Sequence, residues 1–361
     1  MTRDIRLSFC IPVYNFGRFV TQTLDSITPS LARHADLEAV VLDGGSTDDT
    51  AEIMARYCVE HPSVRYVRQP NKGGIDRDMA RSVELARGEY CWMLSGDDLI
   101  RPGAVEQLLG MLDGRTDVYL CEHSQCDVNM QWQSDYPIFD NRGSITVNLG
   151  DPAQRRPYLA SGRNSEALFS FMSGLIIRRE KWRSAPEPTD FMSSCWGHVA
   201  RLLASASPDL IVRVVGQTWV DRRGDNDSFL AGGTVRRLAI AVNGYGRLAE
   251  RFYGAGSPEA ALIRGLIRGD IGIRNFVLAR ELCRRDPTRE DSHALADLVR
   301  TLYADRRLDC LIPYAMYFWV PEPVMNAAIW TVTNLRRTAG RLGLSAIAGP
   351  AHMPKPPSRN P

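Results

Sequence analysis

The sequence has almost no lysine: Lys72, Lys181 and Lys355 are three among 44 basic residues. It has no C-x-x-C pair among eight cysteines, no run of about 20 apolar residues and no internal repeat. Each absence excludes something. Arg3, Asp4 and Arg6 interrupt any signal-peptide pattern, so secretion is not expected. In that setting Cys10, Cys58, Cys91, Cys121, Cys126, Cys195, Cys283 and Cys310 are expected as reduced, mostly buried thiols. A zinc site needs clustered ligands, and His123 beside Cys121 and Cys126 is the single hint of one. Without a bilayer-length apolar run the chain is not a polytopic membrane protein. With no G-x-G-x-x-G after the first strand and no G-x-x-x-x-G-K-[ST], dinucleotide oxidoreductases and P-loop enzymes are disfavoured. The lysine shortage reads as genomic base composition rather than mechanism.

What is present describes a folded chain. Of 361 residues, 44% are hydrophobic and 24% charged, enough for one large domain or two ordinary ones. The net charge of +2 conceals an asymmetry. Residues 1–230 hold 25 basic and 31 acidic side chains, a net of −6, and residues 231–361 hold 19 and 11, a net of +8. The two parts are expected to meet different partners.

The first third alternates strand and helix patterns. Strands are expected at 5–13, 37–42, 64–67, 89–94 and 117–122, and helices at 19–27, from 46–49 through 57, at 76–86, and from Pro102 to 112. This order implies an α/β fold with a mainly parallel sheet covered by helices on both faces. Residues 127–165 are polar and turn-rich, as expected of loops over a site. A strand is read at 169–177, a helix at 195–206 and a strand at 210–215. From 235 the chain becomes helical and arginine-rich, with helices at 235–252, 259–284 and 292–303. The domains expected are therefore 1–230, a helical basic extension at 231–348, and a disordered proline-rich tail at 349–361.

Residues 310–320 are eleven without a charge, including Tyr314, Tyr317, Phe318 and Trp319. Pro321-Glu322-Pro323 breaks this run, residues 324–332 are apolar again, and Arg336, Arg337 and Arg341 follow. Each piece is too short to span a bilayer. Aromatic residues beside arginines suit an interfacial helix on an anionic membrane surface. A helical cap over the core, or a dimer face, explains the same pattern.

Four polar stretches follow strand patterns, and in a parallel sheet ligands bind at the carboxyl ends of strands. They are Pro12-Val13-Tyr14-Asn15, Asp43-Gly44-Gly45-Ser46, residues 71–78, and Ser95-Gly96-Asp97-Asp98. Adjacent Asp97 and Asp98 repel each other unless a cation or hydrogen bonds neutralise them, and oxygen ligands suit Mg²⁺ or Mn²⁺ bridging to phosphates. Gly96 would leave room for a ligand. A helix cap ahead of Pro102 is the structural alternative. Asp43 could accept from a base N–H or a ribose hydroxyl, or simply belong to a strand-to-helix turn.

These stretches, in this order and spacing over about residues 5–112, resemble family 2 glycosyltransferases of the GT-A fold. The carrying residues are Ser8-Phe9-Cys10-Ile11-Pro12-Val13-Tyr14-Asn15, Val40-Val41-Leu42-Asp43-Gly44-Gly45-Ser46-Thr47-Asp48, and Gly88-Glu89-Tyr90 leading to Leu94-Ser95-Gly96-Asp97-Asp98. Gly74-Ile75-Asp76-Arg77-Asp78-Met79 resembles a stretch of the subgroup serving bacterial surface polysaccharides, including abequosyltransferase-like O-antigen enzymes. Arg77 stands where that pattern has aspartate, so Asp76 and Asp78 both remain candidates.

The resemblance implies a GT-A, Rossmann-like mixed sheet and an inverting sugar transfer. The donor would be a nucleotide-diphospho-sugar and the acceptor a saccharide or lipid-linked saccharide; no nucleic acid is implied. Pro12, Tyr14, Asn15 and Asp43 would line the nucleotide pocket. Gly74, Asp76 and Asp78 would lie near the ribose or donor sugar. Asp97 and Asp98 would hold Mg²⁺ or Mn²⁺, although Ser95 replaces the first carboxylate of the usual motif. The location implied is cytoplasmic, peripheral on the inner face of the membrane. The family supplies its base as an acidic pair before a late helix, but here no acid follows Asp190 in the segment leading to His198. His198 and Asp190 are the substitutes, and a helix histidine packed beside Trp196 is the other reading of His198. The alternative function is a non-catalytic GT-A-like module binding saccharide or protein at the membrane.

Overall fold

The computed structural model describes residues 4–140, 143–288, 290–305, 307–321 and 324. The chain divides into two compact units, Met1–Asn226 and Asp227–Pro361.

The first unit begins as the strand and helix patterns predict. β1 (Leu7–Val13), α1 (Val20–Arg33), β2 (Leu37–Asp43), α2 (Thr50–Glu60), β3 (Val64–Arg68), α3 (Ile75–Leu85) and β4 (Tyr90–Met93) follow in order. β1, β2 and β4 are buried along their whole length, as continuous apolar runs in a covered parallel sheet must be. β2 and β4 flank β1 in parallel, and β3 pairs in parallel with β2. Phe9 and Trp92 stack at 5.7 Å between ring centroids beneath the helices that carry Val20, Leu24 and Met54. Burying each such side chain contributes about 1.5–3 kcal/mol.

After β4 come β5 (Leu99–Ile100), α4 (Ala104–Leu109), β6 (Val118–Cys126), β7 (Trp132–Tyr136), β8 (Ile145–Asn148) and α5 (Pro152–Ser161). β9 (Leu175–Arg178), α6 (Arg179–Ser184), α7 (Gly197–Ala204) and β10 (Ile211–Arg223) complete the unit. The sheet has ten strands in the order β3-β2-β1-β4-β9-β6-β10-β5, with β7 on β6 and β8 on β10. β9 runs antiparallel between β4 and β6, and β10 is again parallel to β6.

Three expectations change here. The stretch 127–165 contains two strands and a helix, not loops alone. β7 is polar at its centre and mostly exposed, and β8, although it alternates Ile145-Thr146-Val147-Asn148, is only four residues long, too short a pattern to read as a strand. The strand read at 169–177 shortens to β9, because two 3-10 turns, Ser165–Leu168 and Met172–Gly174, precede it. α7 begins two residues later than expected, after a loop containing left-handed Ser193 (φ 83°) and Cys195 (φ 73°).

The second unit holds α8 (Thr234–Tyr253), α9 (Pro258–Asp270), α10 (Ile273–Arg285), α11 (Ser292–Leu302) and α12 (Leu308–Trp319). The single helix expected at 259–284 is two, broken at Ile271-Gly272. The Glu290 carboxylate accepts the N–H groups of Thr234 (2.6 Å) and Val235 (2.8 Å) and so caps α8. Among the described residues no helix is long and apolar enough to cross a membrane. α12 buries Cys310 and Tyr317 but leaves Leu308, Leu311, Ile312 and Trp319 exposed, Trp319 at 76%. Residue 324 apart, the expected apolar piece at 324–332, the three arginines after it and the tail at 349–361 lie outside the described residues.

Candidate active site

The parallel strands β1, β2 and β4 bring the polar stretches to one end of the sheet. Pro12 is buried in β1, facing Leu42 in register, and Asn15 follows with φ 60°. The Asn15 side chain accepts from Thr47 N–H (2.8 Å), and its own N–H donates to Ser46 Oγ (2.9 Å), tying the β1 loop to the β2 loop. Tyr14 lies under the Lys72 ammonium, 3.8 Å from its ring centroid. Asp43 is fully buried. Its Oδ1 accepts from Ser46 N–H (2.7 Å), Tyr66 donates its hydroxyl to Oδ2, and Arg68 lies 3.8 Å away. Both oxygens thus have protein partners, one in the turn and the other on β3.

The two candidate acids of α3 separate. Asp78 faces the β2 turn: a Cβ on Gly44 would come within 2.5 Å of its Oδ2, so any larger residue there would have to displace that carboxylate. Burial raises the Asp78 pKa, the hydrogen bond from Gln69 (2.7 Å) opposes that, and the neighbouring Asp43 charge adds to it. Asp76 points elsewhere. Its Oδ2 accepts from the N–H groups of Ser193 and Cys195, and its Oδ1 from that of Gly197, each at 2.9 Å. One buried carboxylate therefore holds the bent loop before α7 and the first N–H of that helix. Gly74 precedes α3 with φ 89°, a conformation natural to glycine.

Asp97 and Asp98 follow β4. Ser95 donates its hydroxyl to Asp97 Oδ1, and Asn226 donates its amide to Oδ2. Asp98 accepts from Ser173 Oγ at 2.6 Å and from Arg223 N–H at 3.0 Å. Burial and the adjacent Asp97 charge push Asp98 up to about 7. A pair of hard carboxylates with excess negative charge suits a divalent oxygen-seeking cation, with the less buried Asp97 as ligand and Asp98 as its brace. Among the described residues no three His, Cys, Asp or Glu side chains converge on one point, so protein ligands alone do not complete such a site. Gly96 does not leave room for a ligand as expected: a Cβ there would stand 2.6 Å from Val13 Cγ1.

Ser173, Arg223 and Asn226 were not singled out by sequence. The polar run Arg222-Arg223-Gly224-Asp225-Asn226, which closes β10 and leads out of it, is the signal that could have found the last two. A second missed pair is His123 and Glu166, buried and 3.2 Å apart. Gln125 Nε2 lies 2.7 Å from His123 Nε2. This pairing also answers the zinc hint: His123 faces Glu166 and Gln125 rather than two thiolates, and burial raises the pKa of Cys121 and Cys126.

His198 is packed, not presented, which corrects its expected role. It is buried beside Trp196, with Nε2 2.9 Å from the Phe169 carbonyl, and Nδ1 has no hydrogen-bond partner among the described residues. Burial pushes its pKa down, with Asp76 opposing. A ring enclosed in this way cannot meet an acceptor hydroxyl. Asp190 lies exposed in the single turn Thr189–Phe191.

Comparison with known proteins agrees with this geometry. The family described as Glycosyl transferase family 2 matches residues 8–157. The abequosyltransferase RfbV of Salmonella typhimurium is 30% identical over 252 residues, covering 68% of this chain and 75% of that protein. The crystal structure of S. aureus TarS 1-349 in complex with UDP-GlcNAc superposes with a TM-score of 0.57 at 15% identity, covering 87% of this chain and 90% of that one. The mannosyltransferase PcManGT from Pyrobaculum calidifontis, in complex with GDP-Man and Mn²⁺, gives 0.51 at 16% identity, with 88% of each chain covered. These two show the GT-A fold. The motif-bearing strand ends, the family match and the relative of matching length together make this chain a member of the family 2 glycosyltransferases.

Proposed function

We propose that the protein transfers a sugar, with inversion, from a nucleotide-diphospho-sugar to a saccharide or lipid-linked saccharide acceptor in bacterial surface polysaccharide assembly. The observation that carries this reading is the buried Asp97–Asp98 pair at the carboxyl end of β4, with Asp98 pushed up by burial and then by its neighbour's charge. The relative named as an abequosyltransferase supports the polysaccharide context. A bound Mg²⁺ or Mn²⁺ would offset the diphosphate charge and stabilise the leaving group. Asp97 would hold it, and Asp98 would be oriented by Ser173 and Arg223. Pro12, Tyr14, Asn15 and Asp43 form the nucleotide end. Gly74 and Asp78 form the donor-sugar end, with Asp76 acting through the 193–197 loop.

The exposed stripe of Leu308, Leu311, Ile312 and Trp319 on α12 supports a peripheral contact with an anionic membrane surface. Domain boundaries near residue 230 follow the same division of labour, with transfer in the first unit and membrane contact in the second.

The deciding experiment is a panel of nucleotide sugars incubated with the purified protein and Mn²⁺. Metal-dependent release of a nucleoside diphosphate is expected from at least one. A protein that binds and turns over none of them is not the transferase proposed.

A further inference from the structure

We propose that the exposed ring of Trp132 is a stacking platform for the saccharide acceptor, a subsite beside the metal carboxylates; the inference rests on the reaction proposed above. β9 runs antiparallel to both β4 and β6, so β6 ends on the same side of the sheet as the strand before Asp97 and Asp98. There the chain turns back into β7, whose first residue is Trp132. In register, Trp132 pairs with Cys126 of β6, and Cys126 with Arg223 of β10. With neighbouring strands about 4.8 Å apart, the Trp132 backbone stands about 10 Å from that of Arg223. Arg223 is fastened to the acids. Its N–H donates to Asp98 Oδ1 at 3.0 Å, and its Nε to the Asp97 carbonyl at 2.9 Å. The same guanidinium donates through Nη1 to the Val128 carbonyl in the β6–β7 turn at 2.6 Å. One side chain thus ties the turn that leads to Trp132 to the acids that would hold the cation, across a separation that a short oligosaccharide bridges.

The turn holds its shape. Asp127 Oδ1 accepts the N–H groups of Asn129 and Gln131, both at 2.9 Å, and Met130 is left-handed at φ 63°. Trp132 leaves this turn 61% exposed. Its Nε1 donates to Asp135 Oδ1 at 3.3 Å, an in-plane bond that uses the ring's edge and not its faces. A single exposed apolar side chain is ordinary; this one differs in its place and its company. Gln131 and Gln133 are exposed beside it, and residues 127–136 hold two acids and no lysine or arginine. A hairpin without positive charge does not attract phosphate or an anionic headgroup. An aromatic face flanked by amides suits a neutral, hydroxyl-rich ligand: the C–H groups of a sugar ring pack on the indole, and its hydroxyls bond to the side chains around it. The donor carries a diphosphate and belongs at the ends of β1, β2 and β4; the acceptor saccharide fits here.

The test uses the full chain with Mn²⁺ and a panel of di- to tetrasaccharides of the common hexoses and deoxyhexoses. Nitrogen-15 labelling of tryptophan makes the indole N–H resonances visible by NMR, and that of Trp132 is identified by its loss in Trp132→Ala. At least one saccharide is expected to shift it. Trp132→Ala should bind that saccharide at least about tenfold more weakly, and Trp132→Phe, which keeps an aromatic face, within about threefold of wild type. Hydrolysis of the donor without acceptor should stay within about twofold in both variants, because donor and metal are held elsewhere. The proposal is overturned if no saccharide moves the Trp132 resonance, or if Trp132→Ala binds as tightly as wild type. It is overturned too if Trp132→Ala changes only the sedimentation of the protein, which would make the ring a contact between copies. Should Trp132→Ala fail to fold, Trp132→Thr, a residue suited to a strand, is read in the same way. The two failures separate. Turnover of a sugar nucleotide with no saccharide at Trp132 sinks this subsite alone, whereas a saccharide at Trp132 with no turnover sinks the transferase and leaves a saccharide-binding site.

Discussion

The two sides of the first unit treat their buried acids in opposite ways. On the β3–β2–β1 side, acids are saturated by nearby donors. Asp43 has Ser46 and Tyr66, Glu38 has Ser8 and Arg87, and Asp76 has three N–H groups. On the β9–β6–β10 side, Asp98 and Glu166 are buried with pKa values raised to about 7 and about 8, and Arg222 forms an ion pair with neither. Each side has an exception: Asp78 on the first is raised by burial and by Asp43, and Asp117 on the second is saturated by Arg178 and the Ile211 N–H. A saturated acid shapes the fold, whereas a buried acid short of positive charge is stabilised by a cation or a proton.

Asp97→Asn tests the chemical side most sharply. It removes a charge but keeps an acceptor for Ser95. Metal-dependent turnover should fall by about 1,000-fold while the melting temperature holds. Turnover near wild type would leave the pair with no cation to hold. Asp76→Ala tests the scaffold side. It strands three N–H groups, and a loss of about 3 kcal/mol or more is expected in denaturant unfolding. Hydrogen exchange should quicken at 193–197. A variant as stable as wild type would show that Asp76 is not the clamp its contacts describe.

Asp98 gives the contrast a pH signature. Its folded pKa lies above the ordinary carboxylate value, so the folded state binds its proton more tightly than the unfolded chain does. The stability this contributes is present at acid pH and is lost as pH rises from about 4 through about 7. Asp98→Asn lacks this loss. In chelator, its melting temperature relative to wild type should climb across that window by several degrees. A flat difference would mean that Asp98 is not destabilised by its burial beside Asp97.

Legibility in the sequence followed the same division. β1, β2 and β4 were readable because both faces are covered, giving unbroken apolar runs ended by Asn, Asp or Ser. Asp97 and Asp98 were readable because they follow such a run at once. β7 escaped because a polar edge strand has no periodic signal. Glu166 escaped because it is a lone acid in a turn-rich stretch, and its partner His123 is 43 residues away. Asp76 was legible as a candidate but not in its role, since its donors lie well over 100 residues further along the chain. Backbone donors carry no side-chain signature, so no pattern of residue types announces such a clamp.

His198 should show the smallest effect and guards the contrast from the other direction. It lies next to both regions, with burial lowering its pKa against the pull of Asp76, and the Phe169 carbonyl on Nε2. His198→Gln keeps an N–H donor of similar reach for that carbonyl and removes the imidazole. If the histidine only packs, turnover should stay within about threefold and stability within about 1 kcal/mol, because one neutral hydrogen bond replaces another. A loss of 100-fold or more in a variant that melts like wild type would mean that the enclosed ring reaches the acceptor after all. The base would then lie at the start of α7.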